Sequence, residues 1–281
     1  MTFTKLYNEA ITRLEKAGID DAKSDVNLLF YYLLGFDRSY LFMHANDEID
    51  SEKVDIILSA ISKREKRIPL QHITGKQEFM GLEFLVSGDV LVPRFDTENL
   101  VEEALIYAND GDKILDMCTG SGCIIISIMQ YKNDIQGYAS DISDAALEMA
   151  KRNAEKHDKN IAFIKSNMFD EIDEKGFDVI VSNPPYIKTS VIDSLMDEVK
   201  EHDPYIALDG GDDGLMFYRE IINKSREHLK NFGYLIVEIG HDQGEDVSRL
   251  FEENGFNDVC VKKDLSGNDR VVIGRYVCLT S

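Results

Sequence analysis

Lys113-Ile114-Leu115-Asp116-Met117-Cys118-Thr119-Gly120-Ser121-Gly122 is the stretch whose reading decides the fold. Lys113–Met117 has the length and apolar character of a buried strand. Two glycines then interrupt it, and an apolar run of helical length, Cys123–Tyr131, follows at once. A strand that passes through a glycine turn straight into a helix is the opening unit of a doubly wound α/β domain. Gly120 and Gly122 let the backbone approach a ligand at the carboxyl edge of the sheet, where such folds bind ligands.

Downstream the alternation continues. Strands are expected at 136–140, 161–166, 177–182, 234–239, 259–263 and 271–276, and helices at 143–157, 215–231 and 244–254. Strand and helix in turn give a mostly parallel sheet covered on both faces. The last two strands are joined by a loop too short for a crossover helix, so they form an antiparallel hairpin at one end. Five parallel strands with a terminal hairpin is the layout of the Rossmann-like, seven-stranded methyltransferase fold.

Upstream the pattern changes. Leu6, Ala10, Ile11 and Leu14 share one helical face before Gly18, and Val26, Leu28, Leu29, Phe30 and Leu33 precede Gly35. A third helix after Ser51 closes in Lys63-Arg64-Glu65-Lys66-Arg67, where cations complement the helix dipole. Two β-rich runs flank Gly81, and Val90-Leu91-Val92 follows before Pro93. The expected organisation is a small all-α domain over 1–75, a β-hairpin linker over 76–93 and a catalytic α/β domain over 94–281.

With 52 acidic against 31 basic residues the net charge is −21. Residues 1–75 hold only 12 of the acids and 10 of the bases, so the excess lies in the α/β domain. A protein that grips nucleic acid unaided needs the opposite balance, so no stable nucleic-acid partner is expected. No run approaches the roughly 18 apolar residues of a membrane span, and the N-terminus is an amphipathic helix with acids, not a secretory signal. Cys118, Cys123, Cys260 and Cys278 lack metal spacing and read as small packing residues. A cytoplasmic monomer without metal is the expectation.

The glycine turn has the form of a cofactor site. Cys118, Thr119, Gly120, Ser121 and Gly122 make the turn. Asp141, at the end of the next strand, is placed to accept hydrogen bonds from two ribose hydroxyls. The turn is not GxGxxG and has no phosphate-cradling lysine, so a pyrophosphate is not called for. Met168, after the third strand, stands where an adenine would be contacted. These features favour S-adenosylmethionine over a dinucleotide.

The fourth strand runs into Asn183-Pro184-Pro185-Tyr186. A planar nitrogen has a delocalised lone pair and attacks a methyl group poorly. The Asn183 side-chain oxygen and the Pro184 carbonyl can each accept one of its N–H hydrogens, which fixes it in line and stabilises the charge it gains. Pro184 and Pro185 keep that carbonyl rigid, and Tyr186 offers a flat face for stacking. Asn183 stands beside the methyl donor as well as the acceptor. Adenine, cytosine and glutamine amides all satisfy this clamp.

The chain resembles the HemK/PrmC family of release-factor glutamine-N5 methyltransferases over nearly its whole length. The resemblance is carried by Pro69-Leu70-Gln71-His72-Ile73-Thr74-Gly75, Val92-Pro93-Arg94-Phe95-Asp96-Thr97-Glu98, the Asn183 corner, Gly210-Gly211-Asp212-Asp213-Gly214, Glu238-Ile239-Gly240 with Gln243, and Asp264-Leu265-Ser266-Gly267-Asn268-Asp269-Arg270. It implies S-adenosylmethionine as cofactor and, as substrate and partner, the glutamine of the GGQ motif in class 1 peptide chain release factors. Three positions depart from the family pattern. Cys118 replaces a glycine, Asn167 an aspartate, and Phe95-Asp96 a Pro-Glu pair. Arg94 and Thr97 are expected either at the site entrance or, for Arg94, in an interdomain ion pair. Glu238 is expected at a strand end either to orient a helix or to approach the site, the structural role ranking first, and the loop at 210–214 either covers the site or is a solvated turn. Competing readings are glutamine methylation of a ribosomal protein, adenine methylation of nucleic acid, and a non-catalytic cofactor-binding adaptor.

Overall fold

In the computed structural model, which describes residues 1–278, residue contacts gather into two units. One is Met1–Lys76 with Met196–His202; the other is Gln77–Leu195 with the chain from Asp203 onward.

The first unit is helical, with helices Phe3–Lys16, Ala22–Leu34, Arg38–Met43, Ser51–Arg64 and Leu70–Thr74. Leu6, Ala10 and Leu14 recur every fourth residue and are fully buried against Leu29, Phe30, Ile57 and Ile61. Side chains start these helices: Asp37 accepts from the Tyr40 N–H at 2.7 Å and Asp50 from Glu52 at 2.8 Å. Gly35, at φ 73°, ends the second. The basic run does sit at a helix end, but its members differ. Arg64 is buried and bonded to Asp25 at 2.7 Å and Glu198 at 2.8 Å, while Arg67 donates to the Ala17 and Gly18 carbonyls.

β1 (Lys76–Phe79) and β2 (Leu82–Leu85) form a hairpin through Met80 and Gly81, both at positive φ as a tight hairpin turn requires. The expected seven-stranded sheet is present. Its strands are β3 (Lys113–Met117), β4 (Gln136–Asp141), β5 (Ile161–Lys165), β6 (Phe177–Ser182), β7 (Leu229–Glu238), β8 (Phe256–Lys263) and β9 (Asp269–Tyr276). They lie in the order β5-β4-β3-β6-β7-β9-β8. β3 to β7 are parallel, and β9 is antiparallel to both β7 and β8. Alternate residues serve the two faces. Ile114, Val179, Val181 and Ile236 pack towards the helices Glu98–Tyr107 and Cys123–Tyr131; Leu115, Met117, Ile180 and Leu235 pack towards Met216–Ser225 and Gly244–Glu253. The chain leaves β3 in one direction and returns to β6 on its other side, so the crevice for a ligand opens at their carboxyl ends.

Some expectations need correction. The helix expected over 215–231 ends at Ser225, and β7 starts at Leu229, five residues early. The His228 carbonyl accepts from Gly176 and Phe177, which captures the chain for the sheet, and an irregularity in the pairing absorbs the extra residues before Tyr234. After the hairpin, Val90 packs on Ala146 and Met149. The helix Glu98–Tyr107 was not expected, and Cys278 is exposed, not packed.

Candidate functional site

β3 and β6 pair in register with Met117 opposite Ser182, so the glycine turn and the Asn183 corner emerge side by side. The Ser182 hydroxyl donates to the Met117 carbonyl at 2.9 Å and fixes that alignment. A cavity of about 330 Å³ lies over these strand ends.

The turn is shaped by its own hydrogen bonds. Cys118 takes φ 56°, a conformation that favours glycine, and Gly122 follows at φ 80° with Ala150 3.1 Å from where its Cβ would stand. Thr119 turns inward and donates to Asp116 at 2.6 Å. Asp116 is fully buried, and desolvation raises its carboxyl to about 7 against the pull of Thr119. Burial also pushes the Cys118 thiol far up, so it stays neutral. Asn153 donates to the Ser121 carbonyl at 2.9 Å. Asp141 accepts from the Gly120 N–H at 3.0 Å and the Ser143 N–H at 2.9 Å, and desolvation holds its pKa above the ordinary carboxylate value.

Of the residues singled out in the sequence, Cys118, Gly120, Asp141, Met168, Asn183 and Pro185 line this one cavity. Thr119, Ser121 and Gly122 stand behind it and shape the turn. Pro184 is buried at the corner, and Tyr186 points its hydroxyl to Glu238 at 3.3 Å. The Asn183 side-chain nitrogen lies 3.1 Å from the Thr97 hydroxyl. Asn167, the departure beside Met168, also lines the cavity.

Several contributors carried no chemical signature in the sequence. Asp89, Val90 and Leu91 close one wall, and Ile206, Met216 and Phe217 another. The first group lies beyond the hairpin and the second on either side of the Gly210 loop, so only the folded chain brings them here. That loop is a turn whose tip, Asp212 and Asp213, is exposed to solvent, while Gly210 and Gly214 at its ends are buried. A Cβ at Gly210 would stand 2.7 Å from the Tyr186 Cα, and one at Gly214 2.5 Å from the Tyr186 carbonyl. The loop buttresses the Asn183 corner from behind.

The two sequence blocks at 92–98 and 264–270 meet beside the site. Arg270 pairs with Asp96 at 3.1 Å and with Asp264 at 3.2 Å, so Asp96 still supplies a carboxylate at its departure from the family pattern. Arg94 pairs with the buried Asp203 within the same unit. Glu238, 1% exposed at the end of β7, is raised to about 7 chiefly by desolvation; Thr97, Arg270 and Tyr186 oppose that rise.

Among known proteins, residues 5–75 match the family described as PrmC N-terminal domain, and residues 94–202 match the methyltransferase small domain. The release factor glutamine methyltransferase of Geobacter sulfurreducens is 40% identical over 274 residues, covering 98% of this chain and 96% of its own. Its namesake in Clostridium botulinum is 40% identical over 281 residues, covering 98% and 99%. A crystal structure of a methyltransferase from Pyrococcus furiosus shares the fold, with a TM-score of 0.55 at 19% identity over 82% of this chain and 100% of that one.

Proposed function

The chain belongs to the release factor glutamine methyltransferase family, and from that premise we infer that it methylates the side-chain amide nitrogen of the GGQ glutamine in class 1 release factors, with S-adenosylmethionine as methyl donor. The observation that carries the reading is that one cavity joins Gly120 and Asp141 to Asn183 and Pro185.

The cavity suits that cofactor. No atom lies within 4 Å of a Cβ built on Gly120, so the turn leaves open space beside Asp141. The Asp141 oxygens each accept one backbone N–H and keep further acceptor capacity for a ribose diol. Met168 and Ala146 give an apolar wall for a purine. When bound, S-adenosylmethionine supplies a methyl carbon made electrophilic by its sulfonium and leaves as the neutral thioether S-adenosylhomocysteine.

The remaining work falls to the protein. The Asn183 oxygen and the Pro184 carbonyl accept the two hydrogens of the glutamine amide, which holds the nitrogen in place and favours the positive charge it acquires. Tyr186 offers its ring to the flat amide. The new C–N bond makes the nitrogen acidic, and its proton passes to solvent, so no general base is required beforehand. We assign residues 1–75 to holding the release factor, 76–93 to the linker and 94–281 to catalysis, in a cytoplasmic enzyme. Among the described residues no helix is long and apolar enough to cross a membrane.

The test is peptide mapping of an unmodified release factor after incubation with enzyme and cofactor. One added methyl on the GGQ glutamine is expected. A methyl found only on a ribosomal protein or on nucleic acid would overturn the assignment.

A further inference from the structure

We propose that Thr97 and Glu238 are positioning residues that decide which way round the Asn183 side-chain amide faces the substrate. The proposal rests on the glutamine methylation reading above.

The clamp works only if the Asn183 oxygen, not its NH2, meets the substrate. The two ends of the amide have nearly the same shape, and a flipped Asn183 would set its own N–H groups against those of the substrate amide. Something must choose between the two orientations. The Thr97 hydroxyl, 3.1 Å from the Asn183 nitrogen, cannot choose alone, because a hydroxyl both donates and accepts.

Its other neighbour breaks the tie. Thr97 is 3% exposed and lies against the Glu238 carboxyl, which is 1% exposed. An ionised carboxylate can only accept, so it draws the Thr97 proton towards itself. The threonine lone pair is then left facing Asn183, where it accepts from the side-chain nitrogen. With that nitrogen committed, the Asn183 oxygen turns to the cavity that the residue lines. Among the described residues, Glu238 Oε2 has no hydrogen-bond partner in the resting structure, so the carboxyl keeps acceptor capacity for the Thr97 hydroxyl. Its Oε1 receives the Tyr186 hydroxyl at 3.3 Å, so one buried carboxylate reaches both ends of the Asn183–Tyr186 corner.

Protonation of Glu238 undoes the selection. A neutral carboxyl can donate to Thr97, whose own proton is then free to swing onto Asn183 and favour the flipped amide. The ionisable groups that face Glu238 are Tyr186, Arg270 and Asp96, with Cys123 and Tyr218 behind. Arg270 favours the ionised form, and burial and Asp96 oppose it. The balance places the transition at about 7, so the maximal rate should fall as pH drops below that value.

The experiment is methyl transfer to a release factor at saturating cofactor and substrate, from about pH 5.5 to 8.5. In the wild type, log kcat should rise with unit slope up to about 7 and then level. Thr97→Val should lower kcat about 10- to 100-fold, flatten the profile and leave cofactor affinity within about twofold. Thr97→Ser should restore most of kcat and the pH break. Thr97→Val with the wild-type rate or profile overturns the proposal, and so does a Ser variant as slow as the Val one. If Thr97→Val does not fold, Glu238→Gln decides, because a break that persists without the carboxyl also overturns it. No transfer by the wild-type enzyme overturns the functional reading itself, and this proposal with it.

Discussion

The Gln243 side chain donates from one nitrogen to the Tyr186 carbonyl at 3.0 Å and to the Gly214 carbonyl at 3.1 Å. Its oxygen accepts from the Gly240 N–H at 2.9 Å. One buried amide therefore ties the end of the Asn183 corner to the Gly210 loop and to the turn after β7. Gln243→Ala would strand the Tyr186 and Gly214 carbonyls and cost about 1–3 kcal/mol. Urea unfolding should register that loss, and kcat should fall further than cofactor affinity.

Asp141 reaches the cavity with both oxygens held by turn N–H groups. Asp141→Ala should weaken S-adenosylmethionine about 10- to 100-fold, the worth of one or two hydrogen bonds to a charged group. Titration calorimetry measures it. Unchanged affinity would remove Asp141 from the cofactor site.

In the helical unit, Arg64 is buried between Asp25 and Glu198. Arg64→Ala leaves Asp25 desolvated without its partner and should cost roughly 3–5 kcal/mol. Arg64→Met combined with Asp25→Leu removes both charges and should cost much less. Chemical denaturation of the two variants gives the comparison.

Asp116 and Glu238 are each raised to about 7 by burial. Between their unfolded values, near 4, and about 7 the folded state keeps protons that the unfolded chain has lost. Stability from these groups is therefore complete below about pH 4 and is lost as pH rises through 7, by up to about 1.4 kcal/mol per pH unit for each. The cofactor-free enzyme should lose unfolding free energy from about pH 5 to 7 and then level. Glu238→Gln should remove its own share of that slope, up to about 1.4 kcal/mol per pH unit.

Most of the sheet was legible because its strands are short, apolar and set off by turns, and β3 and β6 were read to the residue. Reading failed where a distant partner decides. The His228 carbonyl ends a helix that periodicity would have extended, because it is taken up by Gly176 and Phe177. Arg64 looked like one cation of a helix end and proves to be buried, because Asp25 and Glu198 lie 39 and 134 residues away in sequence. At the site, Asn183 and Asp141 announce themselves by type and place. Thr97 and Glu238 could be quoted from the sequence, but only the fold shows that Thr97 meets the Asn183 side chain and Glu238 the Tyr186 hydroxyl.

The most direct measurement is the initial rate of labelled methyl transfer to a purified, unmodified release factor by the wild-type enzyme and by Asn183→Ala, with a factor whose GGQ glutamine is alanine as the blank. The account predicts wild-type transfer that depends on the glutamine and a loss on the order of 10²-fold or more in the variant. Transfer that survives either substitution, or cofactor binding with no transfer to the factor, would contradict it.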